Sequence, residues 1–344
     1  MIKGKDGKIN IGLLGLGRLG KVYARELAHG IPAARLIAVA DTDVATAQKI
    51  AEELQVPHWY ADPYALLEDK AIDAVVIVTP THTHVDLVLA AAQREKAIFC
   101  EKPLALSLAE SEQMQRALTR GETFFQMGFM RRFDRGYLAA KDKIERGQIG
   151  TPVVFRATSR DPFPPSLAYA HPRSSGGLIV DMGIHDLDLA RWFMGEIKTT
   201  YAIGGALVYP ETKSIGDCDN AIVSLVFEDG RLGVIDLSRN AVYGYDIATE
   251  LLGTAGTLRI GYLRETPVTL LTQNSVAHDV VPYFMERFAG AYAAQLRNFI
   301  ENLLHERQPP VTLEDGIAAL RAAIGATSSL HSGQPVEVQS VAAQ

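Results

Sequence analysis

At 344 residues, 47% hydrophobic and 22% charged, the chain is long enough for about two globular domains with a sizeable core. A formal charge of -6 with no block of like charges leaves no basic footprint for nucleic acid or an anionic membrane surface, so small-molecule chemistry is the expected function. Cys100 and Cys218, the only two cysteines, build neither a disulfide framework nor a C-x-x-C metal site, and a reducing cytoplasm is the expected setting.

Lys3, Lys5 and Lys8 before the apolar run Ile9 to Leu16 imitate the start of a signal peptide. The run then breaks into G-R-L-G-K without a small-residue cleavage site, and no stretch of about 18 apolar residues follows anywhere, so neither export nor a membrane segment is expected.

K-I-N-I-G-L-L reads as a buried strand. It runs into Gly15, Leu16, Gly17, Arg18, Leu19 and Gly20, a glycine-rich turn, and then into a helix predicted over Lys21 to His29. This is a dinucleotide-binding pattern in its required context: Gly15 allows the tight turn, Gly17 lets backbone approach a pyrophosphate, and Gly20 lets the helix pack on the strand. A second strand, R-L-I-A-V-A, ends at Asp41, where a carboxylate can accept from both ribose hydroxyls and repel a 2′-phosphate. Thr42 and Asp43 supply no arginine for such a phosphate, so NAD is expected rather than NADP.

Helices are predicted over Val44 to Leu54 and Pro63 to Glu68, then a strand from Ala74 that ends in T-P-T-H-T-H. Ligands collect at the carboxyl ends of strands in open α/β sheets, which places Thr79, Pro80 and His84 along the cofactor. His82 and His84 have no carboxylate or cysteine near them in sequence to complete a metal set, and no metal is expected. After a helix from His84 to Lys96, the strand A-I-F-C ends in E-K-P, so Glu101 and Lys102 face the same crevice and Lys102 becomes a catalytic candidate. A helix over Leu108 to Arg120 and the strand T-F-F-Q-M-G-F-M close a first domain, residues 1–128.

The pattern changes in residues 129–344. Beyond a helix ending near Gly147, β-rich runs follow one another: P-V-V-F-R-A-T-S-R, T-T-Y-A-I-G-G-A-L-V-Y, N-A-I-V-S-L-V-F, R-L-G-V-I-D-L-S and T-E-L-L-G. Successive strands without intervening helices predict a large, mostly antiparallel open sheet in an α+β domain after the Rossmann domain. Helices over Arg287 to His305 and Leu313 to Ser329, within residues 287–330, are expected to pack back on the body. Between the first two of these strands lies S-S-G-G-L-I-V-D-M-G-I-H-D-L-D-L-A-R-W, Ser174 to Trp192. If helical, it sets Asp181 and His185 one turn apart on one face, with Leu178, Ile179, Met182, Leu189 and Phe193 as apolar packing surface.

Together G-L-G-R-L-G, C-E-K-P-L, G-F-M-R-R-F-D, the D-M-G-I-H-D-L-D segment and Y-G-Y-D resemble the Gfo/Idh/MocA oxidoreductases over nearly the whole chain, with F-M-R-R-F-D closest to the inositol branch. The resemblance implies oxidation of a cyclic polyol, foremost myo-inositol at its axial hydroxyl, with NAD as acceptor. It also implies Lys102, Asp181 and His185 as the catalytic set, substrate contacts from Arg131, Ser159, Asp161 and Tyr245, and a homotetramer joined through the open sheet faces. A neutral imidazole suits removal of a hydroxyl proton near pH 7, a neighbouring carboxylate can orient it, and an ammonium can donate to a developing alkoxide. Some members carry an imidazole and an amide where this chain has Ser159 and Asp161, which bears on the stereoisomer accepted. Scyllo-inositol or an aldopyranose is the alternative substrate. A non-catalytic NAD-binding sensor is the reading from another class, against which the presence of Lys102, Asp181 and His185 argues.

Overall fold

The computed structural model describes residues 7–342, so Lys3 and Lys5 lie outside the described residues. The chain divides into two compact units: the first reaches Met130 and takes in Gly290–Ala318, and the second comprises Arg131–Ala289 and Ala319–Ala342. Residues 290–318, expected with the second domain, cluster with the first unit. Helix Phe284–Leu304 is interrupted by non-helical φ/ψ at Phe288. Beyond that kink Tyr292, Leu296, Phe299 and Ile300 are buried, with Phe299 edge-on to Phe99 at 5.7 Å, inside the first unit.

The first unit holds a six-stranded sheet of β1 (Ile9–Leu14), β2 (Ala34–Ala40), β3 (His58–Tyr60), β4 (Ala74–Ile77), β5 (Ala97–Glu101) and β6 (Phe125–Gly128). Every pairing is parallel and the order is β3-β2-β1-β4-β5-β6, a doubly wound Rossmann sheet. Apolar runs such as the fully buried Ala-Val-Val-Ile of β4 reflect a sheet covered on both faces by helices. Those helices are α1 (Arg18–Arg25), α2 (Val44–Leu54), α3 (Pro63–Leu67), α4 (His84–Gln93) and α5 (Leu108–Arg120). Side chains mark their starts: Asp43 accepts from the Ala45 and Thr46 N–H groups, and Ser107 with Glu110 forms a capping box on α5. The first helix begins three residues earlier than Lys21, because Gly17 already serves as its N-cap and its carbonyl accepts the Lys21 N–H at 3.1 Å.

In the second unit α6 (Arg135–Glu145) leads into β7 (Pro152–Arg160), and two short helices, α7 (Leu167–Ala170) and α8 (Pro172–Ser175), precede α9 (Ile184–Met194). There follow β8 (Ile197–Gly205), β9 (Asn220–Phe227), β10 (Leu232–Ser238), β11 (Asp246–Gly253), β12 (Thr257–Gly261) and a hairpin of β13 (Leu270–Leu271) and β14 (Val276–Ala277). Of the long helices α10 (Phe284–Leu304) and α11 (Leu313–Ser332), residues 284–289 and 319–332 belong to this unit, as does the short β15 (Val336–Glu337). Seven strands form one sheet in the order β12-β11-β7-β10-β9-β8-β15, antiparallel except for the central β7 and β10. Strict alternation of burial along β9 leaves Ala221, Val223, Leu225 and Phe227 on the core face. The segment carrying Asp181 and His185 packs closely there, since a Cβ added at Gly183 would sit 2.9 Å from Leu237 Cδ1 of β10.

One buried side chain braces the strand ends of the first unit. His84 is 1% exposed, with Nδ1 2.8 Å from the Pro103 carbonyl and Nε2 2.9 Å from the Thr79 carbonyl. Two carbonyls would be served best by the imidazolium, which has two N–H donors, yet burial outweighs them and holds the His84 pKa below its ordinary value. The folded chain therefore takes up this proton less readily than the unfolded chain. Its contribution to stability is complete above about pH 6.5 and is lost as pH falls below that value, by at most about 1.4 kcal/mol per pH unit. Urea unfolding at about pH 7.5 and about pH 5.5 should show a smaller loss for His84→Gln than for the wild type; equal losses would remove His84 from the acid response.

Candidate active site

The glycine loop follows β1 and is shaped by contacts no side chain could share. Gly15 adopts φ +95°, and a Cβ there would lie 2.8 Å from the Val78 carbonyl oxygen at the end of β4; a Cβ on Gly20 would meet the Gly15 carbonyl at 2.1 Å. Gly17 faces open space, with nothing within 4 Å of the corresponding position, and it caps α1 without a side-chain bond to the first-turn N–H groups. Open backbone donors at a helix N-terminus suit a pyrophosphate. Asp41, at the end of β2, accepts the Leu16 N–H at 2.7 Å on one oxygen and the Asp43 N–H at 2.9 Å on the other. Each oxygen keeps a lone pair for a ribose hydroxyl, so these residues fit NAD. Arg18 and Leu19 form the first turn of α1.

Thr79 and Pro80 occupy the carboxyl end of β4, where the Thr79 and Thr83 hydroxyls are 2.6 Å apart and the Pro80 carbonyl accepts the Thr83 N–H at 2.9 Å. His84, expected along the cofactor, belongs to the same corner and braces it, with a backbone carbonyl beside each ring nitrogen. Half-buried Lys102 leaves β5 directly after buried Glu101 and donates its N–H to Glu101 Oε2 at 3.1 Å. Among the described residues no group of three His, Cys, Asp or Glu side chains is placed to hold a metal ion.

In the second unit the expected helix from Ser174 is broken after α8 by Gly176 and Gly177, at φ +87° and +79°. A side chain at Gly177 would collide with Asp217, whose Oδ1 would be 2.8 Å from the added Cβ. Both Asp217 oxygens accept the Leu178 N–H, at 3.1 and 3.0 Å, and so cap the helical run that follows. That run opens as a π turn, Ile179–Gly183, before α9. Asp181 lies in the π turn and buried His185 in the first turn of α9, four residues on. The Tyr169 hydroxyl donates to Asp181 Oδ1 at 3.2 Å and Arg239 Nη2 to Oδ2 at 3.4 Å. The charge of Asp181, then burial, raise the Tyr169 phenol above its ordinary range, which keeps it a donor, although 48% of the residue is exposed.

Arg131 and Ser159, expected at the substrate, both bond to Asp186. Arg131 is 1% and Ser159 0% exposed; the guanidinium reaches Asp186 Oδ1 at 2.6 Å and Ser159 Oγ at 3.1 Å, and Ser159 donates to Asp186 Oδ2 at 2.6 Å. Burial raises the Asp186 carboxyl pKa against the pull of Arg131, while two donors at 2.6 Å suit the ionised carboxylate. Next to this pair, Arg132 holds Asp188 in a two-pronged bond at 2.9 and 2.6 Å. Asp161 lies at the end of β7, its N–H on the Ser238 carbonyl and its carbonyl accepting from Ala241. Tyr245 is 5% exposed and packs edge-on against Tyr283 and Phe288. Among the described residues its hydroxyl has no hydrogen-bond partner.

Tyr169, Asp186, Asp188, Asp217 and Arg239 were not among the sequence-derived candidates. The only local signal was the H-D-L-D run after His185, which carries no indication of what the two carboxylates meet.

The family model for the NAD-binding Rossmann fold of an oxidoreductase family matches residues 9–129, and that for the same family's C-terminal alpha/beta domain matches residues 141–338. The chain belongs to the Gfo/Idh/MocA oxidoreductase family. Its cofactor is NAD. It is 40% identical over 96% of both chains to scyllo-inositol 2-dehydrogenase (NAD(+)) of Bacillus subtilis, and 41% identical to myo-inositol 2-dehydrogenase of Thermotoga maritima over 97% of this chain and 99% of the relative. The structure of scyllo-inositol dehydrogenase from Lactobacillus casei with bound NAD(H) and scyllo-inositol matches with a TM-score of 0.91 at 34% identity, over 97% of this chain and 100% of that one.

In this oxidoreductase the free lone pairs of Asp41 suit a ribose diol and disfavour a 2′-phosphate. NAD should bind far more tightly than NADP in fluorescence titrations, and Asp41→Ala with Thr42→Arg should narrow the gap; equal affinities in the wild type would overturn the assignment. Arg131→Ala should lower unfolding stability by about 3–5 kcal/mol, because Asp186 would be left buried and unpaired. An unchanged unfolding midpoint would return Arg131 to the substrate.

Proposed function

We propose that the chain oxidises a ring hydroxyl of a cyclic polyol with NAD, foremost the axial hydroxyl of myo-inositol to 2-keto-myo-inositol (scyllo-inosose). Scyllo-inositol is the second reading, favoured by the match to the Bacillus subtilis enzyme. The observation that supports the polyol reading is Tyr245: its ring is packed between Tyr283 and Phe288 while no internal group takes its hydroxyl, an arrangement that suits a substrate hydroxyl.

NAD, when bound, accepts the hydride. His185 takes the hydroxyl proton, and Asp181, held by Tyr169 and Arg239, orients the imidazole and stabilises its protonated form. Lys102 donates to the substrate oxygen as it gains alkoxide character. Asp161 accepts from ring hydroxyls and Tyr245 donates or accepts. Arg131 and Ser159 serve recognition only through Asp186, by fixing the helix that carries His185. The exposed sheet face with Tyr201, Ile203, Ile222 and Val226 is the surface for a homotetramer, and two buried, unpaired cysteines suit a reducing cytoplasm.

NADH formation should appear with myo-inositol or scyllo-inositol and be far weaker with aldopyranoses or linear polyols. Lys102→Ala and His185→Ala should each lose on the order of 100-fold or more in turnover while the His185 variant keeps its affinity for NAD. NADH formation with neither inositol would overturn the substrate class, and a near wild-type rate in His185→Ala would remove the proposed base.

A further inference from the structure

Glu101 is a buried carboxylate, 5% exposed, that the reaction above leaves without a task. It receives three donors. Its Oε1 accepts from the Tyr23 hydroxyl and from Gln295 Nε2 at 3.1 Å, and its Oε2 accepts the Lys102 N–H at 3.1 Å. Gln295 Nε2 also donates to the Tyr23 hydroxyl, so the three side chains close on one another. Tyr23 and Gln295 are fully buried. Tyr23 is walled by Phe99 and Tyr292 in edge-on contacts at 6.1 and 6.0 Å.

The cluster is costly to build. Removing a carboxylate from water is expensive, and apolar side chains of similar volume would fill the space at lower cost. Backbone has also been shaped around it. A Cβ on Gly128 of β6 would lie 2.9 Å from Glu101 Oε1 and 3.0 Å from its Cδ. Gln295 belongs to the stretch of α10 that rejoins the first unit after the kink at Phe288. What the cluster joins gives it a purpose: Tyr23 lies on α1, whose N-terminus is the phosphate-facing end of the glycine loop, and Glu101 holds the backbone of Lys102.

We propose that Tyr23, Glu101 and Gln295 form a buried clamp that ties the dinucleotide helix to the strand end carrying Lys102, which makes Tyr23 and Gln295 positioning residues for that lysine. The clamp rests on the catalytic reading of Lys102. Tyr23→Phe keeps the ring and its aromatic walls and removes only the hydroxyl. Freed of that anchor, the Glu101 carboxylate and the Lys102 backbone bonded to it shift by a fraction of an ångström, and misplacement of about 1 Å can cost about 100-fold in rate.

The test is a double-mutant cycle on the inositol oxidation, measured with wild type, Tyr23→Phe, Lys102→Ala and the double variant. Tyr23→Phe should lower kcat by about 10-fold and leave KM for NAD within about twofold, and it should cost nothing further once Lys102 is alanine. Full turnover in Tyr23→Phe beside a slow Lys102→Ala overturns the clamp alone. The same factor lost in both backgrounds also overturns it, because a general loss of folding would act irrespective of residue 102. Wild-type turnover in Lys102→Ala overturns the catalytic reading of the lysine and the clamp with it. Gln295→Met, which removes the other donor at similar volume, repeats the cycle should Tyr23→Phe fail to fold.

Discussion

Two buried ion pairs, Arg131 with Asp186 and Arg132 with Asp188, fix the helix that carries His185. Taking four charges out of water costs several kcal/mol per ion before any attraction is counted, and apolar replacements would serve stability at least as well. The pairs give direction instead. Adjacent arginines on the short 3-10 turn Met130–Phe133 reach carboxylates two residues apart on α9. Only one rotation and one register of that helix satisfies both. His185 immediately precedes the first of the two carboxylates, so its orientation follows from theirs. Aromatic surfaces complete the enclosure, with Arg131 5.6 Å from the centre of the Phe288 ring and Arg132 5.8 Å from that of Trp192.

The first unit meets the same demand with neutral partners. Its sheet is held by continuous apolar strands, which set the strand positions but not the loops at their carboxyl ends. Those loops are set by polar groups with internal partners: His84 between two carbonyls, Asp41 under the Leu16 N–H, and Glu101 against the Lys102 N–H. Apolar packing alone would tolerate small slides of such loops, whereas a buried polar group that loses its partner costs about 1–3 kcal/mol. Distance-sensitive chemistry benefits from the second kind of constraint.

The parts legible in the sequence are those whose signal is local. The glycines of the dinucleotide loop recur at fixed spacing after an apolar run, and the second sheet announces itself as strands without intervening helices, β7 and β9 being bounded as expected. β12 and the hairpin of β13 and β14 were missed, being short and without a clear alternating pattern. The bonds of Arg131 and Ser159 to Asp186 were not legible for a different reason. A guanidinium that binds hydroxyls and one that binds a carboxylate 55 residues away look identical along the chain. Tyr169, Arg239 and Gln295 escaped notice likewise, since their partners lie 12, 58 and 194 residues distant. The return of residues 290–318 to the first unit hinges on one non-helical residue, Phe288, inside an otherwise regular helical pattern.

Counting partners separates the polar groups that build this protein from those that remain for a ligand. Arg131 and Ser159 entered as candidate substrate contacts, yet Arg131 Nη1 and the Ser159 hydroxyl donate to Asp186 and Arg131 Nη2 to Ser159, and His84 entered as a cofactor contact with a backbone carbonyl beside each ring nitrogen. Tyr245 shows the opposite balance: its ring is packed against Tyr283 and Phe288 while its hydroxyl lacks an internal acceptor. Its ring is thereby fixed in place while the hydroxyl stays uncommitted to any internal group. The glycine loop follows the same logic with backbone in place of side chain, because Gly17 leaves N–H donors and space together at the start of α1. Groups with few internal partners thus stand at the glycine loop and at Tyr245, whereas Asp186 and His84 are held by internal hydrogen bonds.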